Sequence, residues 1–161
     1  MPDTPEAWFS TLGEPLGDAE RSEIDAYLRG LGMQVMLPAL LVESWGQAGS
    51  LARSPVSTWW DVEEVERSRL QELAHLDPSD PEWLATTEAL HGAAALAAVR
   101  SGVADSGLVR AAAGAATYAT YQYRLARAAN VPPSHPFMRK YALFCGGRWP
   151  LGVYGDRFAI F

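Results

Sequence analysis

Hydrophobic residues recur every three to four positions along most of this chain, the spacing that places them on one face of an α-helix. A short segment at residues 4–13 is expected to pack as an arm. The next helix is predicted to begin near Asp18, a suitable cap residue, and to end at Gly30 and Gly32. Its predicted buried face consists of Ile24, Tyr27, Leu28 and Leu31.

The following segments are separated by prolines. Residues 33–37 form a short apolar run that is expected to be extended, because Pro38 disfavours the α conformation at the residue before it. A helix is predicted from Pro38 to Ala52. Ser57 or Thr58 can cap another helix, which begins with acidic residues and has a buried seam. The predicted seam consists of Val62, Val65, Leu73 and Leu76.

Two alanine-rich helices form the predicted centre of the fold. Asp80 with Pro81 marks the start of the first, which ends near Gly102. Asp105 can cap the second, which ends before Asn130. Small side chains on both helices would permit a short distance between their axes. These residues are Gly92, Ala93 and Ala97 on the first helix and Ala112, Ala113, Ala116 and Ala119 on the second.

The C-terminal segment combines a short element with a β-hairpin. Ser134 can cap a short helix over residues 137–145, and a strand is the alternative there. Residues 149–161 predict a hairpin with Gly155 and Asp156 in a type II′ turn. With Tyr154 opposite Arg157, the register places one apolar set on one face, which must be covered. That set consists of Trp149, Leu151, Val153, Phe158 and Ile160.

Together these elements predict a mainly α fold, a helical bundle of about six helices with a C-terminal β-hairpin at residues 149–161. The length suits a single globular domain over residues 1–161, and no internal repeat or long linker divides it. The hairpin is expected to pack on the helices, to join another strand such as residues 33–37, or to receive a partner's strand.

The net charge of −6 is divided unevenly along the chain. Residues 1–80 contain fifteen acidic and five basic side chains, whereas residues 81–161 contain four acidic and eight basic ones. Such asymmetry indicates either a polarised binding surface or two halves that pack against each other. The overall acidity argues against nonspecific nucleic-acid binding, which needs a basic surface.

The sequence predicts a cytoplasmic protein without a membrane segment. The N-terminus lacks a basic region followed by an apolar run, so no signal peptide is expected. The longest apolar stretch, residues 89–99, contains His91 and is about half the length of a membrane span. The single cysteine, Cys145, excludes an internal disulfide and is typical of a reducing compartment.

No familiar catalytic, cofactor or metal motif occurs, which favours a protein that is not an enzyme and holds no cofactor. His75, His91 and His135 have no histidine or cysteine three or four residues away, so no metal site is expected. Cys145 lies at a predicted helix end among aromatic residues, where a buried, inert thiol is the expected role.

A cluster of acidic side chains beside two tryptophans is the first candidate binding site. Such carboxylates usually form a solvated helix face, on which Glu63 can pair with Arg67. The alternative is a docking patch that combines charge with aromatic anchors and suits a basic partner. The candidate partner-binding residues are Trp60, Asp61, Glu63, Glu64 and Glu66.

A polar stripe on the second alanine-rich helix is the other candidate site. If this stripe meets the side of the preceding helix that carries His91, then His91, Tyr121 and Arg124 line a pocket for a small anion. The ordinary alternative is surface arginines and a histidine that is hydrogen-bonded within the bundle.

Three functions are compatible with these features. In its small size, acidity and lack of motifs the chain is similar to the compact acidic immunity proteins that bacteria keep in the cytoplasm to neutralise toxin domains. That resemblance implies a protein-binding module that inhibits a basic toxin or enzyme domain. The second function is a small-molecule or anion binder, or an enzyme of unassigned reaction, with its site between the alanine-rich helices. The third is a structural subunit that dimerises through the hairpin, so both a monomer and a homodimer are open.

Overall fold

The computed structural model describes residues 7–33, 37–54 and 59–161. Within them the chain is mainly α-helical, with a small three-stranded sheet that contains the C-terminal hairpin, which confirms the predicted fold class. The helices are α1 (Asp18–Gly30), α2 (Trp45–Ala52), α3 (Trp59–Ala74), α4 (Pro81–Arg100), α5 (Ser106–Ala128) and α6 (Pro136–Cys145). The strands are β1 (Ala39–Leu41), β2 (Pro150–Tyr154) and β3 (Arg157–Ile160).

Helix α5 lies at the centre and contacts α2, α3, α4 and α6. Its most extensive contact is with α4, as the alanine content of both helices predicts. On α4 the contact face carries Ala94 and Ala98, both fully buried, whereas Gly92 is exposed to solvent. On α5 the small side chains face the core, which allows the neighbouring helices to approach closely. These are Ala112, Ala113, Ala116 and Ala119.

The predicted cap residues are correct at α4 and α5 and wrong at α1 and α6, although α1 begins at Asp18 as predicted. Asp80 and Asp105 each accept hydrogen bonds from backbone N–H groups of the first turn. Helix α1 is preceded by Gly17 rather than capped by Asp18, and Glu20 accepts the Gly17 N–H at 2.8 Å. At α6 the cap is His135 rather than the predicted Ser134, and the caps proposed at Ser57 or Thr58 lie outside the described residues.

The helix predicted from Pro38 is wrong, because residues 39–41 form β1 and α2 begins only at Trp45. Ser44 caps α2 by accepting the Gln47 N–H at 3.2 Å. Strand β1 pairs in parallel with β3, so the sheet order is β1–β3–β2. A two-stranded hairpin is marginal by itself, and β1 supplies the third strand that the edge of β3 needs. Residues 34–36 of the predicted extended run lie outside the described residues.

The hairpin register agrees with the prediction near the turn and departs from it at a bulge. Tyr154 pairs with Arg157 and Val153 with Phe158, and Gly155 has the positive φ of 62° that a glycine-first turn requires. The predicted pair of Leu151 with Ile160 is wrong. Ile160 lies opposite Pro150 and Ala159 opposite Gly152, so Leu151 is left in the bulge.

Both faces of the hairpin are buried, whereas the register had predicted a single apolar face. One side packs in the cluster of Phe158, Ile160 and Val153 with α1. The other side, with Trp149 and Ala159, belongs to a second cluster that also contains buried residues of α2, α4 and α5, and β2 contacts α2 directly. The N-terminal arm takes part in this second cluster, because Trp8 and Phe9 are buried in it, and residues 8–13 form turns. The apolar faces of the hairpin are therefore covered, and β2 forms one edge of the described sheet.

Candidate functional site

The apolar residues that were predicted to form the buried seam of α3 are exposed to solvent on α3 and just after its end. The exposed fraction of these side chains is 39% for Val62, 72% for Val65, 55% for Leu73 and 42% for Leu76. The buried residues of α3 are Trp59, Glu63 and Leu70, and this face packs against α5. The predicted seam is therefore wrong, and an acidic residue stands where an apolar one was expected.

Glu63 is 1% exposed and accepts hydrogen bonds from three other elements of the fold. Its Oε1 accepts the Lys140 Nζ at 2.7 Å and the Gln122 Nε2 at 2.8 Å. Its Oε2 accepts the Tyr27 hydroxyl, which in turn accepts the Trp59 Nε1 at 2.9 Å. Burial and the adjacent Glu63 carboxylate raise the pKa of Tyr27 well above its usual value, so the phenol keeps the proton that it donates.

This buried cluster has its charges compensated. Lys140 is 5% exposed, and its ammonium donates to Glu63 and to the Gln122 Oε1 at 3.0 Å. The same ammonium lies 5.7 Å from the centre of the Trp59 ring. A buried carboxylate is tolerated when an opposite charge and several donors surround it. Glu63 therefore joins α1, α3, α5 and α6, and it is not available on any surface patch.

Of the other acidic residues of the candidate patch, Glu64 and Glu66 form ion pairs, and Asp61 is exposed to solvent. Glu64 pairs with Arg67 at 2.6 Å and accepts the Tyr118 hydroxyl at 2.9 Å, whereas the sequence suggested Glu63 for Arg67. The hydrogen bond from Arg67 lowers the pKa of Glu64. Asp61 is exposed, and Trp60 is 42% exposed, with its ring stacked on Tyr118 at 5.7 Å.

Glu66 connects the middle of α3 to the start of α6. It pairs with Arg69 at 2.6 Å and with the His135 Nε2 at 2.7 Å. Because the His135 Nδ1 accepts the N–H of Phe137, the Nε2 carries the proton and donates to Glu66. The Arg69 hydrogen bond, with a smaller contribution from His135, lowers the pKa of Glu66.

The charge asymmetry of the sequence corresponds to ion pairs between the two halves of the chain. Three acidic residues of the first half form ion pairs with three basic residues of the second half, and a fourth, Glu66, accepts a hydrogen bond from His135. This arrangement supports two halves that pack together, which was one of the two interpretations of the asymmetry. The ion pairs are Glu20 with Arg148, Glu23 with Arg139, and Glu63 with Lys140.

A cleft of about 540 Å³ lies between the turn after α3, the start of α4 and the end of α5. Tyr121 and Arg124 both line it, as the pocket prediction expected, and His91 does not. The Arg124 guanidinium lies 4.9 Å from the centre of the Trp83 ring, and the rings of Trp83 and Tyr121 are 5.3 Å apart. Arg124 forms no ion pair with any acidic residue of the part that the structure describes. Two of the three predicted pocket residues, Tyr121 and Arg124, therefore line the cleft together, and His91 does not.

Sequence reasoning missed Lys140, Gln122 and Tyr27 as partners of Glu63. A buried lysine on an apolar short helix was the one available signal, because Lys140 lies between Phe137 and Phe144 in the sequence. No group of three or more histidine, cysteine, aspartate or glutamate residues that could hold a metal ion occurs within the described ranges. Among the same residues, no helix has the length and apolar content that crossing a membrane requires.

Family models, curated protein sequences and solved structures yield no match to this chain. Its function is therefore inferred from its own surfaces and cavities.

Proposed function

We propose that this chain is a protein-binding module that docks a basic protein on the exposed side of α3, in the manner of an inhibitor that neutralises a toxin or enzyme domain. The observation that carries this proposal is the row of large apolar side chains on that side, with Val65 72% exposed. Contiguous exposed apolar surface is typical of a binding site. The docking face is defined as Asp61, Val62, Val65, Glu72 and Leu73.

The docking face combines apolar contact with negative charge. At 3.6 residues per turn, its five residues fall within an arc of about 120° on α3. Asp61 and Glu72 are exposed and form no ion pair with the described residues, whereas Arg69 between them is neutralised by Glu66. Unpaired carboxylates beside an apolar centre accelerate association with a basic partner and favour it over an acidic one.

This face differs from the acidic patch that the sequence suggested. Asp61 belongs to both surfaces. Glu63 is buried and is not part of the docking face, whose residues are exposed to solvent. Glu64 and Glu66 are engaged by Arg67 and Arg69. Because a charge reversal at Glu63 would place a cation beside Lys140, it would test folding instead of binding.

The experiment is an affinity capture from lysate of the native source with two matched variants, read by mass spectrometry. The Asp61→Lys, Glu72→Lys variant reverses both open charges of the docking face. The Glu43→Lys, Asp156→Lys variant makes the same net change at exposed positions outside α3. We expect the parent and the control variant to retain one basic protein in near-stoichiometric amount, and the docking-face variant to lose it.

A follow-up with the purified partner tests the mechanism. Calorimetry with Val65→Ser is expected to show an affinity loss of about 1–3 kcal/mol, the cost of removing an apolar anchor. The association rate should fall as salt is raised. Inhibition requires the partner's activity to disappear at one equivalent of this chain. Capture that is the same with both double variants, or no partner at all, would contradict the proposal.

The cytoplasm is the proposed location. A single cysteine suits a reducing compartment, where a stored inhibitor would meet an intracellular target. Imaging of the full chain, tagged at its C-terminus, in its native cell tests this: a signal outside the cytoplasm would contradict it.

The second candidate function is binding of a small aromatic carboxylate in the cleft between α4 and α5. The observation that favours it is the unpaired Arg124 guanidinium beside the rings of Trp83 and Tyr121. Benzoate is a suitable probe in a heteronuclear NMR titration. Saturable shifts at Trp83 and Tyr121 that vanish in Arg124→Met, and persist in Arg110→Met on the same helix, would support this site. The absence of saturable shifts would exclude it.

A further inference from the structure

The outer face of α4 is apolar along most of its length. Leu84, Leu96 and Val99 are 54%, 51% and 52% exposed, and their solvent-facing neighbours are mostly alanine and glycine. A helix that is apolar on all sides normally has every side covered. Within the described residues, α4 packs chiefly on α5. The N-terminal arm borders the C-terminal end of its outer face at a cleft that Leu96 and Arg100 line, and the rest of that face is left open. The exposed small residues are Ala85, Ala89 and Gly92.

Four exposed residues of this face form one ridge at a spacing of four. They are Glu88, Gly92, Leu96 and Arg100, so an acid and a base stand at the two ends with a small and a large residue between them. Residues four apart form the ridges by which helices pack. Neither Glu88 nor Arg100 forms an ion pair within the part of the chain that is described.

This ridge is complementary to a copy of itself placed in the opposite direction. A two-fold axis at the level of residue 94 places Glu88 opposite the second copy's position 100, and Gly92 opposite position 96. At each end of the contact, the Glu88 carboxylate of one copy then faces the Arg100 guanidinium of the other. Each leucine lies over a glycine, where an added Cβ would meet no atom of the described residues within 4 Å beyond the backbone of its own helix.

We propose that α4 is the interface of a homodimer, in which a second copy of this chain packs antiparallel across the ridge Glu88–Gly92–Leu96–Arg100. Its charges are balanced, one acid and one base, whereas the docking face of α3 has two open acids. Two copies of net charge −6 repel each other over the rest of their surfaces, so an interface between them needs acids and bases that pair. The balanced charge of this ridge therefore suits a second copy better than a basic partner. The interface uses a different helix from the docking face, so the two proposals stand independently.

The sharpest test uses two charge variants, Glu88→Arg and Arg100→Glu, in sedimentation velocity from low to high micromolar concentration. In each variant alone, like charges face each other at both ends of the contact, so we expect a monomer. In an equimolar mixture, each new arginine faces a new glutamate, so we expect a heterodimer. The double variant Glu88→Arg, Arg100→Glu should regain the parent dimer.

Two further variants separate packing from folding. Gly92→Leu places a large side chain where Leu96 of the second copy would sit, and it is expected to dissociate the dimer at unchanged helical content. Glu43→Arg matches the charge change of Glu88→Arg outside α4 and should remain dimeric. A parent chain that is monomeric at every concentration would overturn the proposal. A dimer that persists in both single charge variants would also overturn it.

Discussion

The two faces of α3 reverse the usual relation between polarity and burial. The face that packs on α5 contains Glu63, which is 1% exposed, and the face that meets solvent contains Val65, which is 72% exposed. The carboxylate is buried because Lys140, Gln122 and the Tyr27 hydroxyl surround it. The difference shows that a buried position is defined by the partners that the rest of the fold supplies, and only statistically by hydrophobicity.

The comparison also separates stability from binding. The inner face contributes to stability, because its ionic cluster and Leu70 connect α3 to the rest of the chain. The outer face contributes little to the monomer, since its apolar side chains make few contacts there. An apolar residue that a monomer does not need is best explained by a partner, which is the basis of the proposed docking face.

The largest expected effect is at Glu63. Glu63→Ala leaves the Lys140 ammonium buried without a carboxylate, so the free energy of unfolding should fall by about 3–5 kcal/mol. Glu63→Met combined with Lys140→Met removes both charges and should cost much less than the sum of the two single changes. Urea denaturation of the parent, Glu63→Met, Lys140→Met and the double variant measures this coupling. Strictly additive costs would show that the ion pair does not hold the inner face.

A matched leucine pair tests the two faces directly. Leu70 is fully buried and Leu73 is 55% exposed on the same helix. Leu70→Ala is expected to cost about 2–5 kcal/mol, because it removes packing and leaves a cavity. Leu73→Ala should change the free energy of unfolding by less than about 0.5 kcal/mol. Equal costs in thermal and urea unfolding would contradict the assignment of the faces.

Gly152 tests how the inner face is fitted to the hairpin. It has a φ of +119°, and a Cβ added there would lie 2.6 Å from the Trp59 Cζ3. Gly152→Ala should therefore destabilise the fold by about 1–3 kcal/mol through backbone strain and displacement of Trp59. Gly114→Ala on α5 is the control, because its Cβ would meet no atom of the described residues within 4 Å beyond the backbone of its own helix. It should stabilise the fold by about 0.5–1 kcal/mol. Tolerance of alanine at Gly152 would show that Trp59 is not held in this way.

The smallest expected effect is the part of the free energy of unfolding that is lost at acidic pH when Glu66 is protonated. Arg69 lowers the pKa of Glu66 below its usual value of 4.5, so folding favours the carboxylate. The resulting stability is present above pH 4.5 and is lost as the pH falls through the lower, folded-state pKa. Glu66→Gln should lose stability less steeply than the parent below pH 4.5, by under about 1 kcal/mol, because the pair is partly exposed. Denaturation curves across that range provide the measurement, and a steeper loss in the variant would reverse the sign.

The candidate sites could be predicted from the sequence only in part. Tyr121 and Arg124 were expected on one face because they are three residues apart on α5, and both line the cleft. His91 lies on α4, so its position relative to Tyr121 and Arg124 depends on which face of α4 packs against α5. The acids of α3 were predicted to form one patch, but Glu63 is buried, and its burial depends on Lys140, which is 77 residues away.

Local chemistry in the sequence determined the helix starts at Asp80 and Asp105 and the hairpin turn at Gly155, because each depends on atoms within four residues. It also determined the predominance of helix, since the spacing of apolar residues is a property of each segment. The tertiary structure decided which face of α3 is buried, where the bulge at Leu151 falls, and that residues 39–41 form a strand. Those features depend on contacts between distant parts of the chain, whose free energies outweigh the local preferences of any single segment.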